Sequence, residues 1–390
     1  MLEVETIQNT FSNVSDDPKW IIDEFRDLVQ IPLTQIPMDH HPTTGESLGV
    51  LCEPPSTNFY PYAMGMSNGL TNSNGVSLVE TVGANNMLFF PKALRFDGSV
   101  AEKSTSFSFD TPKSWFYVGI SFFMKFPDGG TKPTYGRSYF NGTDFHFMIN
   151  GLEVIEASGE VRIDELVDGS YWVRARIKSP SRPVNEITIG NSKWQSNRTF
   201  LITGLQIEPY MVTSPILTNG EVEVRSGNHL RFNGDYFKTV NPEQGTLEVS
   251  YSLKHGSVGS IITASSVYED WEIGHIGEWY DNPEKEPMTY VIDVTNDAYS
   301  FSNFDDPTID SLRRWNETNK IKFTYSAYGN RFIKNDSLIY KHKNFNSNKN
   351  NMPPTVYSLG ISRNGTHING YIESFDIRGR ALTDKEMVNG

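Results

Sequence analysis

Short runs of β-branched and aromatic residues, each closed by Gly, Pro, Asn or Ser, follow one another along most of this chain and leave no room for helical crossovers. Among them are NMLFF (86–90), TSFSFD (105–110), WFYVGISFFMKF (115–126), DFHFMI (144–149), SYWVRARI (170–177) and FLITGLQIEP (200–209). Ser106, Phe107, Ser108 and Phe109 alternate strictly, and Tyr171, Val173, Ala175 and Ile177 alternate with Arg174 and Arg176. Such strands bury one face and wet the other. Spaced at roughly 8–12 residues with turn signals between them, they predict packed antiparallel sheets. A second series, including NHLRFNG, GTLEVSYSLK, KIKFTYSA and HINGYIESFDIRG, follows YMVTSPILTNG at 210–220. The expected fold class is therefore all-β, with two consecutive antiparallel jelly-roll or β-sandwich domains at 45–212 and 213–390. A length of 390 residues, 37% hydrophobic and 21% charged, suits two folded cores.

The first 44 residues read differently. In DDPKWIIDEFRDLVQ (16–30), Trp20, Ile21, Phe25, Leu28 and Val29 fit one face of a helix with an acidic first turn. Pro32, Pro37 and Pro42 then keep the backbone extended. Residues 1–44 are thus expected to form a short helix and an extended arm, whose five apolar residues would dock on a partner. Asn364–Gly365 and Asn369–Gly370 are expected in tight hairpin turns. Thr383 with Glu386 predicts a capping box opening a terminal turn of helix, and NFNSNKNNMPP (344–354) an exposed loop.

A formal charge of −13 without a long basic run argues against nucleic-acid binding. The single cysteine, Cys52, excludes an internal disulfide and is expected to be a small buried residue. The N-terminus is acidic and polar where a signal peptide needs a basic start and an apolar stretch, so none is expected. No window approaches about 18 consecutive apolar residues, so no membrane insertion is expected either.

Three stretches resemble bacteriophage tail-fibre and virion structural proteins. LGVLCEPPSTNFYPYA (48–63) is similar to a "G-x-L-x-E-P-x-x-T-N" opening. DGSYWVRARI followed by LITGLQIEPYMVTSPILTNG is similar to the later part of the same module. The second half resembles concanavalin-like or laminin-G-like jelly rolls closed by "G-x-I-x-x-x-x-I-x-x-R-x-L-x-x-x-E", here Gly370, Ile372, Ile377, Arg380, Leu382 and Glu386. The resemblance implies a virion protein, a tail-fibre, spike or adhesin subunit presenting lectin-like domains to host-surface glycans. The alternative it implies is a capsid or tail decoration or head-fibre protein without a receptor role. Other virion proteins would be its partners through the N-terminal arm. By analogy with fibres and spikes it would be a homo-oligomer, a trimer.

Catalysis is not expected. Concanavalin-like glycosidases place carboxylates as "E-x-D-x-x-E" on one strand, so that they face one cleft. The nearest cluster here, Glu269, Asp270 and Glu272, has the wrong spacing. No cofactor is expected either, with calcium the one candidate. Asp305, Asp306 and Asp310 offer hard oxygen ligands, against the plainer reading of a solvated acidic turn. Sugar recognition needs aromatic faces beside polar groups. Trp271, Trp279 and Tyr280 with Asp281 and Asn282 are the candidate set, weighed against aromatics that simply fill a core.

Overall fold

The computed structural model describes residues 11–64, 70–83, 86–111, 115, 117–136, 142–154, 161–179, 183–191, 196–232, 244–254, 257, 259–265, 270–276, 288–293, 318–326, 330–334, 337–342, 356–361 and 367–389. The N-terminal part holds β1 (Phe11–Val14), β2 (Lys19–Ile22), β3 (Leu28–Ile31), β4 (Met38–His40), β5 (Ser47–Cys52) and β6 (Ser56–Asn58). Next come β7 (Leu70–Asn74), β8 (Val76–Glu80), β9 (Lys92–Phe96), β10 (Ser104–Ser108), β11 (Tyr117–Lys125), β12 (His146–Ile149), β13 (Leu152–Glu153), β14 (Val161–Glu165), β15 (Tyr171–Lys178), β16 (Glu186–Gly190) and β17 (Phe200–Pro209). They make two antiparallel sheets, ordered β13-β12-β16-β10-β7 and β14-β15-β11-β17-β9-β8. Phe107, Phe147, Ile187 and Ile189 of the first sheet meet Leu94, Ile120, Phe122, Val173 and Ile202 of the second in one core. Tyr171, Val173, Ala175 and Ile177 all belong to it, as their alternation predicts.

The six-stranded sheet is covered on its other face as well. There Phe123, Trp172 and Leu201 pack with Met87, Phe90, Ile22 and Leu28. Burial on both faces is why β11 reads as a nearly unbroken apolar run. A bulge in β17 sets which residue faces which core. Ser121 pairs with Gln206 and Phe123 with Thr203, so Gly204 and Leu205 stand opposite Phe122 alone. Phe200 and Ile202 point inward before the bulge, and Leu205 and Ile207 after it. Gly204 takes a φ of +63°, and a Cβ there would lie 2.6 Å from Phe90 Cζ.

The remaining strands are β18 (Glu223–Arg225), β19 (His229–Phe232), β20 (Gln244–Leu253), β21 (Gly259–Ser265), β22 (Asp270–Ile276), β23 (Met288–Asp293), β24 (Asn319–Ser326), β25 (Asn330–Lys334), β26 (Ser337–His342), β27 (Val356–Leu359) and β28 (Gly370–Arg378). Helix α1 (Asp384–Asn389) follows. The sheets here run β1-β19-β27-β21-β22-β23 and β26-β25-β24-β20-β28-β5-β4, again antiparallel. Leu230, Leu247, Val249, Ile321, Phe323, Ile372 and Phe375 share their core with Phe11, Met38, Val50 and Cys52 from the N-terminal strands. Ile372 and Ile377 are an odd number of residues apart, which would place them on opposite faces of a regular strand. A register shift opposite Ser250 and Tyr251 brings both to this core.

Three expectations are corrected. Residues 16–30 form no helix: β2 and β3 pair as an antiparallel hairpin, Lys19 opposite Ile31 and Ile22 opposite Leu28. Trp20, Ile22 and Leu28 pack on the outer face of the first sheet pair, while Ile21, Val29 and Ile31 pack on Leu51 and Tyr371 of the second. A short strand pair buried on both faces has apolar residues at consecutive positions, and over so short a stretch that pattern matches a helical stripe. Secondly, the stretch before residue 45 is no separate arm, because β1 pairs with β19 and β4 joins the sheet of β28 by pairing with β5. Thirdly, Asn369–Gly370 is no hairpin turn. Asn369 is buried, and Gly370 opens β28 where a Cβ would meet Ser252 O at 2.2 Å. The capping box forms as expected: Thr383 N donates to Glu386 Oε2 at 2.9 Å and Glu386 N to Thr383 Oγ1 at 3.3 Å. Asn364–Gly365 and residues 344–354 lie outside the described residues.

Candidate functional site

Of the sugar-binding candidates, Trp271 lies in β22, in register with Ala264 and Asp293. Trp279, Tyr280, Asp281 and Asn282 belong to the segment joining β22 to the edge strand β23 and fall outside the described residues, as do Asp305, Asp306 and Asp310. Of the five docking candidates, Ile21 and Leu28 are buried, Trp20 is stacked on Phe89 at 4.5 Å, and Val29 packs beside Leu51 and Tyr371. Phe25 alone stands out, 70% exposed at the hairpin tip. Asp23 builds that tip, its Oδ1 accepting from Phe25 N at 2.9 Å and Asp27 N at 2.8 Å.

The structure brings together two sequence motifs lying far apart in the chain. Glu53, Ser56 and Asn58 of EPPSTN meet Gln206, Glu208, Thr213, Ser214 and Thr218 of QIEPYMVTSPILT in one buried polar network. Glu53 is fully buried; its Oε1 accepts from Ser214 N at 2.6 Å, and its Oε2 from Ser214 Oγ at 2.7 Å and Arg225 at 2.8 Å. Lys254 approaches Oε1 at 3.7 Å. Glu208 accepts from Ser56 Oγ and Thr213 Oγ1, each at 2.6 Å, from Thr213 N at 2.9 Å, and from Gln206 Nε2 at 2.5 Å. Asn58 Oδ1 accepts from Tyr60 N and Ile207 N at 3.0 Å, while its Nδ2 donates to Ile216 O at 2.9 Å. Beside the hairpin, Asp39 receives Ile22 N at 2.7 Å and Tyr371 Oη at 2.9 Å.

Burial alone would raise the Glu53 carboxyl, but Arg225, Lys254 and Lys19 outweigh it and hold it down to about 2. Glu208 lacks a cation among its partners, and burial keeps its carboxyl above the usual range despite the donors around it. Cys52, fully buried as expected, has its thiol pushed up to about 12 by burial and by Glu53. Lys19 is 1% exposed and donates to Ser226 O at 2.5 Å. Burial, then Arg225, push its ammonium down from 10.5 to about 7.

This depressed value fixes a pH dependence. Below pH 7 Lys19 is charged in both the folded and the unfolded chain, and the full cost of burying the charge is felt. Above pH 7 the folded chain sheds the proton first, so the unfolded state binds more protons and stability rises. Above pH 9 Cys52 opposes the gain, because its thiol ionises first in the unfolded chain. Urea unfolding is therefore expected to show stability climbing from pH 7 to 9. Lys19→Met should flatten that climb; the same slope in the variant would show that Lys19 does not cause it.

Chemically, the network ties chain segments together. Its carboxylates are enclosed and saturated with donors from their own fold, so neither presents a base or nucleophile to a substrate. Among the described residues, no group of three or more His, Cys, Asp or Glu side chains is placed to hold a metal ion. Gly65-Met66-Ser67-Asn68-Gly69 spells the G-x-S-x-G of a nucleophile elbow, which sits between a strand and a helix. Here the pattern lies outside the described residues, between turn residues 61–64 and strand β7. No helix among the described residues is long and apolar enough to cross a membrane.

The sequence signal for the network is readable in retrospect. Gln206 and Glu208 alternate within an otherwise apolar strand, and Glu53, Ser56 and Asn58 lie in a short stretch flanked by apolar residues. Polar groups so placed must find partners. Which partners they find depends on the fold.

No protein-family profile matches the sequence, and no curated protein matches it. Solved structures that resemble it include the CBM40 module of a Ruminococcus gnavus IT-sialidase bound to α2,3-sialyllactose. It is 13% identical with a TM-score of 0.26, and the match covers 39% of this chain and 84% of that one. Another is the receptor-binding domain of botulinum neurotoxin C/D mosaic serotype, 10% identical with a TM-score of 0.27, covering 42% of this chain and 39% of that one. A third is the botulinum neurotoxin DC binding domain in complex with rat synaptotagmin II, 13% identical with a TM-score of 0.27, covering 42% of this chain and 39% of that one. Likeness at this level assigns the chain neither a family nor an activity.

Proposed function

We propose that this chain is a non-catalytic bacteriophage virion protein of the tail-fibre or spike kind, whose two jelly-roll sandwiches present a glycan-recognition surface to the host. The observation that carries this reading is the meeting of EPPSTN with QIEPYMVTSPILT in one buried network. Both stretches carry the resemblance to phage fibre modules, and their residues are spent on each other, as expected of the signature of one folded unit. In this reading Trp271, Trp279, Tyr280, Asp281 and Asn282 supply the sugar-contacting side chains. The protein acts on the particle as a homo-oligomer, a trimer by analogy.

The competing reading is a capsid or tail decoration or head-fibre protein without a receptor role; both readings dock the chain on the particle through its N-terminal stretch, so the packing of that stretch does not separate them. Ile21, Leu28 and Val29 pack within the chain's own fold, and Trp20 is stacked on Phe89. The test is binding of the purified protein to a glycan array and to host cells. Wild type should bind, and Trp279→Ala with Tyr280→Ala should lose at least about tenfold in affinity, the equivalent of about 1.4 kcal/mol. Absence of binding to any host surface, together with unchanged adsorption of particles lacking the protein, would overturn the reading.

A further inference from the structure

The two sheet pairs are nested in the chain. The second is assembled from strands before residue 53 and strands after residue 228, and the first lies wholly between them. The chain therefore crosses from one to the other twice, and the crossings lie side by side. β6 on the way out pairs with β18 on the way back, Ser56 opposite Arg225, Thr57 opposite Val224 and Asn58 opposite Glu223.

At the base of this two-stranded stalk the crossings are tied again. Asn228 N donates to Glu53 O and Glu53 N to Asn228 Oδ1, both at 2.9 Å, while Asn228 Nδ2 donates to Leu51 O at 2.6 Å. The buried Glu53–Arg225 ion pair closes the same point at 2.8 Å.

We infer that this clamp is a mechanical bypass: tension applied to the two ends of the chain crosses from Glu53 to Arg225 and does not run along the chain through β7–β17 until the clamp opens. The described ends of the chain, β1 and α1, both belong to the second sheet pair or pack beside it. Pulling on them strips β1, the β2–β3 hairpin, β4 and β5 from one side and α1 and the strands from β28 back to β19 from the other. Only when the Glu53–Arg225–Asn228 contacts and the β6–β18 pairing have gone does the load pass through β7–β17. Loss of the hairpin uncovers the outer face at Phe123 and Trp172 but leaves the core around Phe122 intact. The inference rests on chain topology and holds whatever ligand the protein binds.

Single-molecule pulling of the full chain, with handles ahead of β1 and behind α1, tests it. The first extension events should release only the segments outside the stalk, and the residues between Asn58 and Glu223 should lengthen in a separate, later event. Thr57→Cys with Val224→Cys, placed at paired positions, identifies that event: oxidised, the variant should lose it while keeping the earlier ones, and reduction should restore it. If the event deleted by the cross-link comes first in the reduced chain, or coincides with release of the outer segments, the bypass does not exist.

Discussion

Replacing Glu53 by Ala should cost the folded protein about 3–5 kcal/mol, because it leaves Arg225 buried without the carboxylate that pairs with it. Arg225 is 4% exposed, Lys19 is 1% exposed, and Lys254 reaches the same carboxylate. Two donors of Ser214 would also lose their acceptors. Urea unfolding at pH 7 measures the loss, and an acid titration separates its ionic part. The Glu53 carboxyl is held at about 2 against an ordinary 4.5, so its contribution is complete above pH 4.5 and disappears as the pH falls towards 2. Wild type and variant should therefore converge in acid. A loss below about 1 kcal/mol, the value of an exposed pair, would mean that the network does not hold the joint together.

Gly204→Ala should destabilise the protein by about 3 kcal/mol, whereas Gly83→Ala should cost only about 1 kcal/mol. Both glycines have nearly the same left-handed conformation, φ +63° and +59°, so the backbone strain on a new Cβ is matched. The surroundings differ. A Cβ on Gly83 meets nothing within 4 Å, whereas one on Gly204 would lie 2.6 Å from Phe90 Cζ and 2.8 Å from Phe123 Cδ2. Thermal unfolding of both variants isolates the steric part. Near-ultraviolet dichroism should also report Gly204→Ala, because Phe123 stacks on Trp172 with ring centroids 5.8 Å apart. Equal losses in the two variants would show that the bulge tolerates a side chain and does not fix the register of β17.

Much of the strand content was legible in the chain because it depends on local alternation. Tyr171, Val173, Ala175 and Ile177 face one core as their spacing requires, and Thr383 with Glu386 caps α1 as that pair predicts. Local pattern failed where burial came from two sides. Trp20, Ile21, Ile22, Leu28, Val29 and Ile31 form a hairpin held between two packed surfaces, and nothing in fifteen residues distinguishes that from one apolar helical stripe. The buried network was half legible. Its motifs were visible, but their partnership across the first sheet pair was not.

What the sequence determined by itself is the class of structure: antiparallel strands and a capped terminal helix, set by interactions between near neighbours. The tertiary structure alone decided which strands share a sheet. β5 pairs with β28 from the far end of the chain, and Glu53 lies against Arg225 because the whole first sheet pair folds between them. Alternation specifies which face of a strand is buried but not its partner. The partner is chosen by which apolar faces and which buried polar groups can satisfy one another once the sheets have formed.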